Sequence, residues 1–193
     1  FLVTDNRALA ASDFDSFSVT APSDSRLPGG GGYTLSGLYN VSQAKFGQTD
    51  QLITSVKTYG GGQEQYWTGY DVNVNVRGVR GITFSGGISS GRQTQDTCAL
   101  KRQTPESGGG ESDPWCRREE VFQTQYKGLA SYVIPRVDVL VSGTVQSTPG
   151  PDLAANWNVT NAQVAPSLGR NLSGRKPNVQ VNLIEPGTLQ GDR

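Results

Sequence analysis

Between positions 66 and 76 the chain alternates. Its even positions read Tyr66, Thr68, Tyr70, Val72, Val74 and Val76; its odd positions read Trp67, Gly69, Asp71, Asn73 and Asn75. Successive side chains of a strand point to opposite faces, so a period of two predicts a strand with one apolar and one polar face. Held for about eleven residues, the pattern is about twice the usual strand length and spans about 36 Å. Three more segments follow the same rule. Residues 82–90 set Ile82, Phe84, Gly86 and Ile88 against Thr83, Ser85, Gly87 and Ser89. Residues 121–134 set Phe122, Thr124, Tyr126, Gly128, Ala130, Tyr132 and Ile134 against Gln123, Gln125, Lys127, Leu129, Ser131 and Val133. Residues 137–146 set Val137, Val139, Val141, Gly143 and Val145 against Asp138, Leu140, Ser142, Thr144 and Gln146. Leu129, Val133 and Leu140 interrupt the polar side.

The connections are sorted too. Gly78-Val79-Arg80-Gly81 joins the first pair of strands and Pro135-Arg136 the second, both at hairpin length. The stretches at about 91–120 and 147–178 are long, as is 7–64 ahead of the first strand. A down-up-down-up order puts both short turns at one end and the long loops at the other. Strands of this length, tilted by about 45°, cross about 25 Å, the height of the apolar band on an outer-membrane barrel. The expected fold is therefore all-β: an open, curved, antiparallel sheet of long hairpins, part of a transmembrane barrel with long extracellular loops. Tyr66, Trp67, Phe122 and Tyr126 near the loop ends and Tyr132 near a turn end read as interfacial girdles, where an amphipathic ring suits the headgroup level. Core aromatics of a β-sandwich are the alternative.

Outside these strands the pattern is weaker. Phe1 to Thr4 reads as the tail of a further strand; 33–41, 52–56 and 179–184 read as short strands above the membrane. Residues 21–32 form a polar, turn-rich loop. No helix of ten residues shows an amphipathic period, and no repeat recurs at a fixed spacing. The chain opens Phe1-Leu2-Val3 and closes Gly191-Asp192-Arg193; an internal piece of a longer protein is expected, with a processed mature protein as the alternative.

Composition narrows the function classes. Gly is high at 25 of 193 residues and hydrophobics are low at 34%, poor for a soluble core of this size. No run of about 18 apolar residues occurs, which excludes a transmembrane helix but not a barrel. Net charge is zero, and the bases are scattered, so no nucleic-acid partner is expected. Cys98 and Cys116 fall in one polar, Gly-rich segment; an even count there predicts a disulfide and an oxidising compartment, with two free thiols as the alternative.

Chemistry-bearing patterns are few. With no His and two Cys, zinc sites lack ligands and His-dependent triads are excluded. The glycine runs at 29–32, 60–62 and 108–110 read as flexible loops, since none leads into Gly-Lys-Ser/Thr. Glu119-Glu120 and the group Glu106, Glu111 and Asp113 are the candidate carboxylate pairs for glycoside hydrolysis, but nothing near them points to a pocket. Calcium in that acidic loop lacks the spacing of an EF-hand. The Asn-x-Ser/Thr triplets at Asn40, Asn158 and Asn171 carry little information in a chain this rich in Asn, Ser and Thr. No enzyme and no cofactor are expected.

Several pieces together resemble the late barrel region of TonB-dependent outer-membrane receptors. They are Leu27-Pro28-Gly29-Gly30-Gly31-Gly32-Tyr33, Leu38-Tyr39-Asn40, Lys45-Phe46-Gly47, Gly69-Tyr70-Asp71-Val72-Asn73-Val74, Gly128-Leu129-Ala130-Ser131-Tyr132 and Pro166-Ser167-Leu168-Gly169-Arg170-Asn171. The similarity is to the large receptors with an N-terminal carboxypeptidase-regulatory-like domain and spans about 1–193. It implies a 22-stranded barrel in the bacterial outer membrane, with an N-terminal plug, importing a scarce nutrient on energy from an inner-membrane complex. The plug, the TonB box and the closing C-terminal strand are absent from this sequence, so residues 1–193 would be a fragment of one barrel domain.

On this reading Tyr66, Tyr70, Val72, Val74, Val76, Ile82, Phe84, Ile88, Phe122, Tyr126, Ala130, Tyr132, Val137, Val139 and Val141 face lipid. Asp71, Asn73, Asn75, Lys127 and Asp138 face the lumen, and the loop stapled by Cys98 and Cys116 forms part of the outer vestibule. The partners are outer-membrane lipid, an extracellular nutrient of unknown identity and the energy-coupling complex; ligand contacts are not legible. A secreted soluble β-sandwich for binding or adhesion and a non-transporting outer-membrane barrel are the alternatives.

Overall fold

The computed structural model describes residues 1–60, 62–107 and 110–192. It is mostly β, in antiparallel sheets that stay open. In chain order the strands are β1 (Leu2–Asn6), β2 (Phe14–Thr20), β3 (Thr34–Val41), β4 (Gln51–Ser55), β5 (Glu64–Val79), β6 (Ile82–Asp96), β7 (Arg117–Glu119), β8 (Gln123–Ile134), β9 (Val139–Ser147), β10 (Asn156–Thr160) and β11 (Asn178–Asn182). Two short helices, α1 (Cys98–Gln103) and α2 (Asn161–Leu168), interrupt them. Neither is long and apolar enough to cross a membrane.

The alternating segments form one meander, β5-β6-β8-β9, with β7 pairing the far end of β6. The strands are longer than the apolar alternation alone marks. β5 runs 16 residues and β6 runs 15. β6 continues from Ser90 to Asp96, into the stretch expected to be loop. Its residues there, Gly91-Arg92-Gln93-Thr94-Gln95-Asp96, have no apolar alternation, but β5 pairs them on one side, and on the other β8 pairs Gly91 and β7 pairs Thr94 to Asp96. The β5–β6 turn is Arg80-Gly81, with φ of 51° and 80°. Positive φ at both central residues is the I′ geometry whose twist matches the flanking strands. A bulge at Arg77-Gly78, with Gly78 at φ 69°, precedes it.

The β8–β9 turn corrects two assignments. Val137 and Asp138 belong to the turn, not to the sheet faces: Arg136 and Asp138 have φ of 78° and 51°, and the Asp138 N–H donates to the Ile134 carbonyl at 3.1 Å. A left-handed pair cannot continue a strand, so β8 stops at Ile134 and β9 starts at Val139.

The stretches 7–64 and 147–178 are not extended loops. The hairpin β2–β3, the hairpin β10–β11 and α2 fold around a shared core: Phe17, Val19, Ala21, Leu27, Leu35, Leu38, Val159, Val164, Leu172, Val181, Leu183 and Ile184. The glycine turn at 29–32 is pinned. All four residues have positive φ, and the Gly30 and Gly32 N–H groups donate to Leu27 and Ala21. α2 is held by a capping box, the Thr160 N–H reaching Gln163 Oε1 at 2.9 Å, and ends on Gly169 at φ 77°. The other two glycine runs include positions 61, 108 and 109, which lie outside the described residues.

Candidate functional site

Residues paired across strands share a face, so the registers fix the two surfaces of the meander. One face carries the rows Ile134–Val139, Ile82–Tyr132–Val141, Val76–Phe84–Ala130–Gly143, Val74–Gly86–Gly128–Val145, Val72–Ile88–Tyr126–Ser147 and Tyr70–Ser90–Thr124. It is apolar through the Val72–Ile88–Tyr126 row, where Ser147 at the β9 edge is the one polar residue, and turns polar at Ser90 and Thr124. From Ile134 to Tyr126 along β8 is about 27 Å of strand, or about 19 Å after a tilt of about 45°.

Nothing among the described residues covers this face. Tyr66, Tyr70, Val72, Val74, Ile82, Phe84, Ile88, Phe122, Tyr126, Ala130, Tyr132, Val139 and Val141 are exposed, and Val76 is half-buried. Val137 is exposed as well, from its place in the turn. Every buried hydrophobic side chain among the described residues lies elsewhere, outside β5, β6, β8 and β9. Glycines thin the middle of the face, and Phe84 fills the gap: a Cβ at Gly86 would sit 2.9 Å from the Phe84 ring, and one at Gly128 would sit 3.8 Å from it. The ring thus covers a facing glycine pair, which pins the register.

The opposite face is polar. Asp71, Asn73 and Asn75 of β5 lie there with Ser85, Ser89, Gln93 and Gln95 of β6 and Gln123, Gln125 and Lys127 of β8. Ser85 Oγ donates to Asn75 Oδ1 at 2.6 Å. Trp67 lies on this face too, because it is odd-numbered on β5 and pairs with Gln93. It therefore leaves the aromatic girdle in which its neighbour Tyr66 stays. Its indole is folded onto the facing pair Gly69 and Gly91, where a methyl group on either glycine would collide with the ring.

At the loop end of the polar face a cavity of about 500 Å³ opens between β1, α1 and the ends of β6 and β7. Thr4, Gln63, Gln95, Thr97, Glu106, Ser107 and Arg118 supply its polar lining, and Leu2, Val56 and Leu100 part of its apolar lining. The Cys98–Cys116 disulfide anchors one wall by tying the start of α1 to the approach of β7. Beside it Thr97 donates through both N–H and Oγ1 to the Cys116 carbonyl. Closing a loop of this length stabilises the fold by about 3 kcal/mol in the chain-entropy account.

The candidate carboxylates separate. Asp113 pairs with Arg118, and Glu119 pairs with Arg92. Glu111 accepts through its main-chain carbonyl from the Tyr39 N–H. Gly187 packs against Glu120. Glu106 alone lines the cavity. Burial pushes its carboxyl up from the ordinary value, with Asp5 and Glu111 adding to the rise, and its Oε2 is buried with no hydrogen-bond partner. Among the described residues no three His, Cys, Asp or Glu side chains gather as metal ligands.

Of the three Asn-x-Ser/Thr triplets, Asn40 is buried with its carboxamide in use; Asn158 and Asn171 are exposed. Set against protein-family models, curated proteins and solved structures, the chain finds no match in any of the three. Its functional reading therefore stands on the two sheet faces, the cavity and the loop-built body.

Proposed function

We propose that this chain is a segment of a TonB-dependent receptor of the bacterial outer membrane, which imports a scarce nutrient through a plugged β-barrel. One observation carries the reading: four long strands hold a continuous apolar face, spanning most of the about 25 Å apolar band of an outer-membrane barrel, that nothing among the described residues covers. In water, contiguous apolar surface of that extent is a liability; against lipid it is the stable arrangement. The polar face then lines the lumen, and the loop-built body with its disulfide stands at the outer mouth. Capture occurs at that mouth, and the nutrient passes along the polar face once a plug, supplied by another part of the receptor, rearranges under the pull of the inner-membrane complex.

A soluble β-sandwich would bury Val72 and Val74 under a second sheet, yet they are 52% and 48% exposed. A spin label on a cysteine introduced at Val74 in the full-length receptor tests the assignment, since both native cysteines are bonded to each other. High accessibility to oxygen with low accessibility to a polar quencher is expected in a bilayer. Low accessibility to both means protein cover and ends the membrane reading. Loss of nutrient uptake when the energy complex is disabled separates a transporter from a passive barrel.

A further inference from the structure

We propose that the polar face binds a neutral saccharide chain, with Trp67 as the stacking platform. This deepens the receptor reading and rests on it, since that reading makes the polar face a water-filled passage. Three observations converge. The first is the ring itself. Trp67 is 51% exposed although its indole occupies the space above Gly69 and Gly91. A ring seated over two glycines, half of its surface still exposed, is positioned before any ligand arrives. It presents an apolar plane about the size of one pyranose, whose C–H faces pack on such planes.

The second is the surround. Gln65, Gln93, Gln95, Gln123 and Gln125 all fall on the same face, within two register positions of Trp67 or on the next strand. Each amide offers two donors and an acceptor, which is the complement a sugar hydroxyl needs. The charges nearby cancel. Asp71 and Lys127 are opposite in sign, and Arg118, paired across from Gln95, is neutralised by Asp113. The platform itself has no net charge to recruit an ionic solute, and Glu106, Asp5 and Glu111 at the cavity disfavour an anionic one.

The third is continuity. Gln95, one alternation above the Gln93 that pairs with Trp67, also lines the 500 Å³ cavity at the loop end. That cavity is within the size range of a ligand pocket, and it offers the unpartnered Glu106 Oε2 to a sugar hydroxyl. A linear chain can therefore run from the cavity down onto the platform.

The test is titration of the full-length receptor in detergent with maltohexaose, cellohexaose, xylohexaose and mannohexaose, read by calorimetry and by tryptophan emission. Saturable binding of at least one is expected, weakened about tenfold or more by Trp67→Ala and restored in large part by Trp67→Tyr. Gln95→Ala, which leaves the ring and its glycines untouched, is expected to weaken it as well, and it keeps the test decisive if Trp67→Ala fails to fold. No saturable binding of any of these sugars, or binding indifferent to both Trp67→Ala and Gln95→Ala, overturns the proposal. The Val74 label is read on the same preparations, so a lipid-exposed Val74 alongside failed sugar binding discards the saccharide and leaves the barrel standing.

Discussion

Arg170 binds together parts of the chain that are far apart in sequence. Its guanidinium donates to Asp15 Oδ2 at 2.7 and 3.1 Å, to Asn40 Oδ1 at 2.8 Å, to Ser173 Oγ at 3.0 Å and to the Asn40 and Val41 carbonyls at 3.1 Å. The planar fork thus joins β2, β3 and the segment after α2, and it satisfies a buried Asn40 that also receives the Ser173 N–H at 3.0 Å. Replacing it with alanine removes one of the two donors to Asn40 Oδ1 and to the Val41 carbonyl, and leaves the Asp15 carboxylate without its ion pair. Arg170→Ala is expected to cost about 2–3 kcal/mol, seen as loss of protection in hydrogen exchange across β2, β3 and α2. Arg170→Lys keeps the charge but not the fork, and should recover less than half of the loss. Equal protection in wild type and Arg170→Ala would mean that the apolar core alone holds the body.

At the scale of elements, the segment after the disulfide-anchored α1 carries a carboxyl shifted by its surroundings. Glu106 has its carboxyl raised above the ordinary value of 4.5, chiefly by burial and then by Asp5 and Glu111. A raised folded value means that the native state holds its proton more tightly than the unfolded chain. The resulting stability is fully present below 4.5 and is lost as pH climbs through the folded value. Wild type should therefore lose thermal stability relative to Glu106→Gln as pH rises above 4.5, and parallel profiles would refute this. No sequence pattern placed Glu106 in a cavity, because the walls come from β1, α1 and β6, which nothing local links. The same reason hid the loop-built body. Phe14, Phe17 and Val19 are spaced by three and then two, which masks β2, and α2 at eight residues is too short for a helical period to declare itself. β5, β6, β8 and β9 were legible because a period of two is local. So was the Cys98–Cys116 bond, the only pairing two cysteines in one segment allow. Trp67 was legible by parity but was grouped with Tyr66 by its type, and only the register puts it across the sheet.

The whole molecule divides its labour between a body with a core and a sheet without one. Among the described residues the meander leaves β5 and β9 as open edges and its apolar face bare, a liability for a sheet in water. What supplies the missing cover differs between lipid and a packed protein partner, and depth is the variable that tells them apart. Val74 lies near the middle of the apolar band, Tyr66 beyond its loop-side limit, and Asn75 on the other face next to Val74. In a bilayer, Val74→Lys should cost about 2–4 kcal/mol, Tyr66→Lys about 0–1 kcal/mol, and Asn75→Lys close to nothing. Folding of the full-length receptor into liposomes, followed by urea titration of each variant, gives these values directly. A protein partner would impose a cost that follows the local contact instead, with no ordering by height and no dependence on acyl-chain length. If thinner bilayers shift the Val74→Lys cost while leaving Asn75→Lys unchanged, the bare face is a lipid surface. If neither cost responds to the bilayer, the face belongs against protein, and the polar side loses its claim to be a lumen.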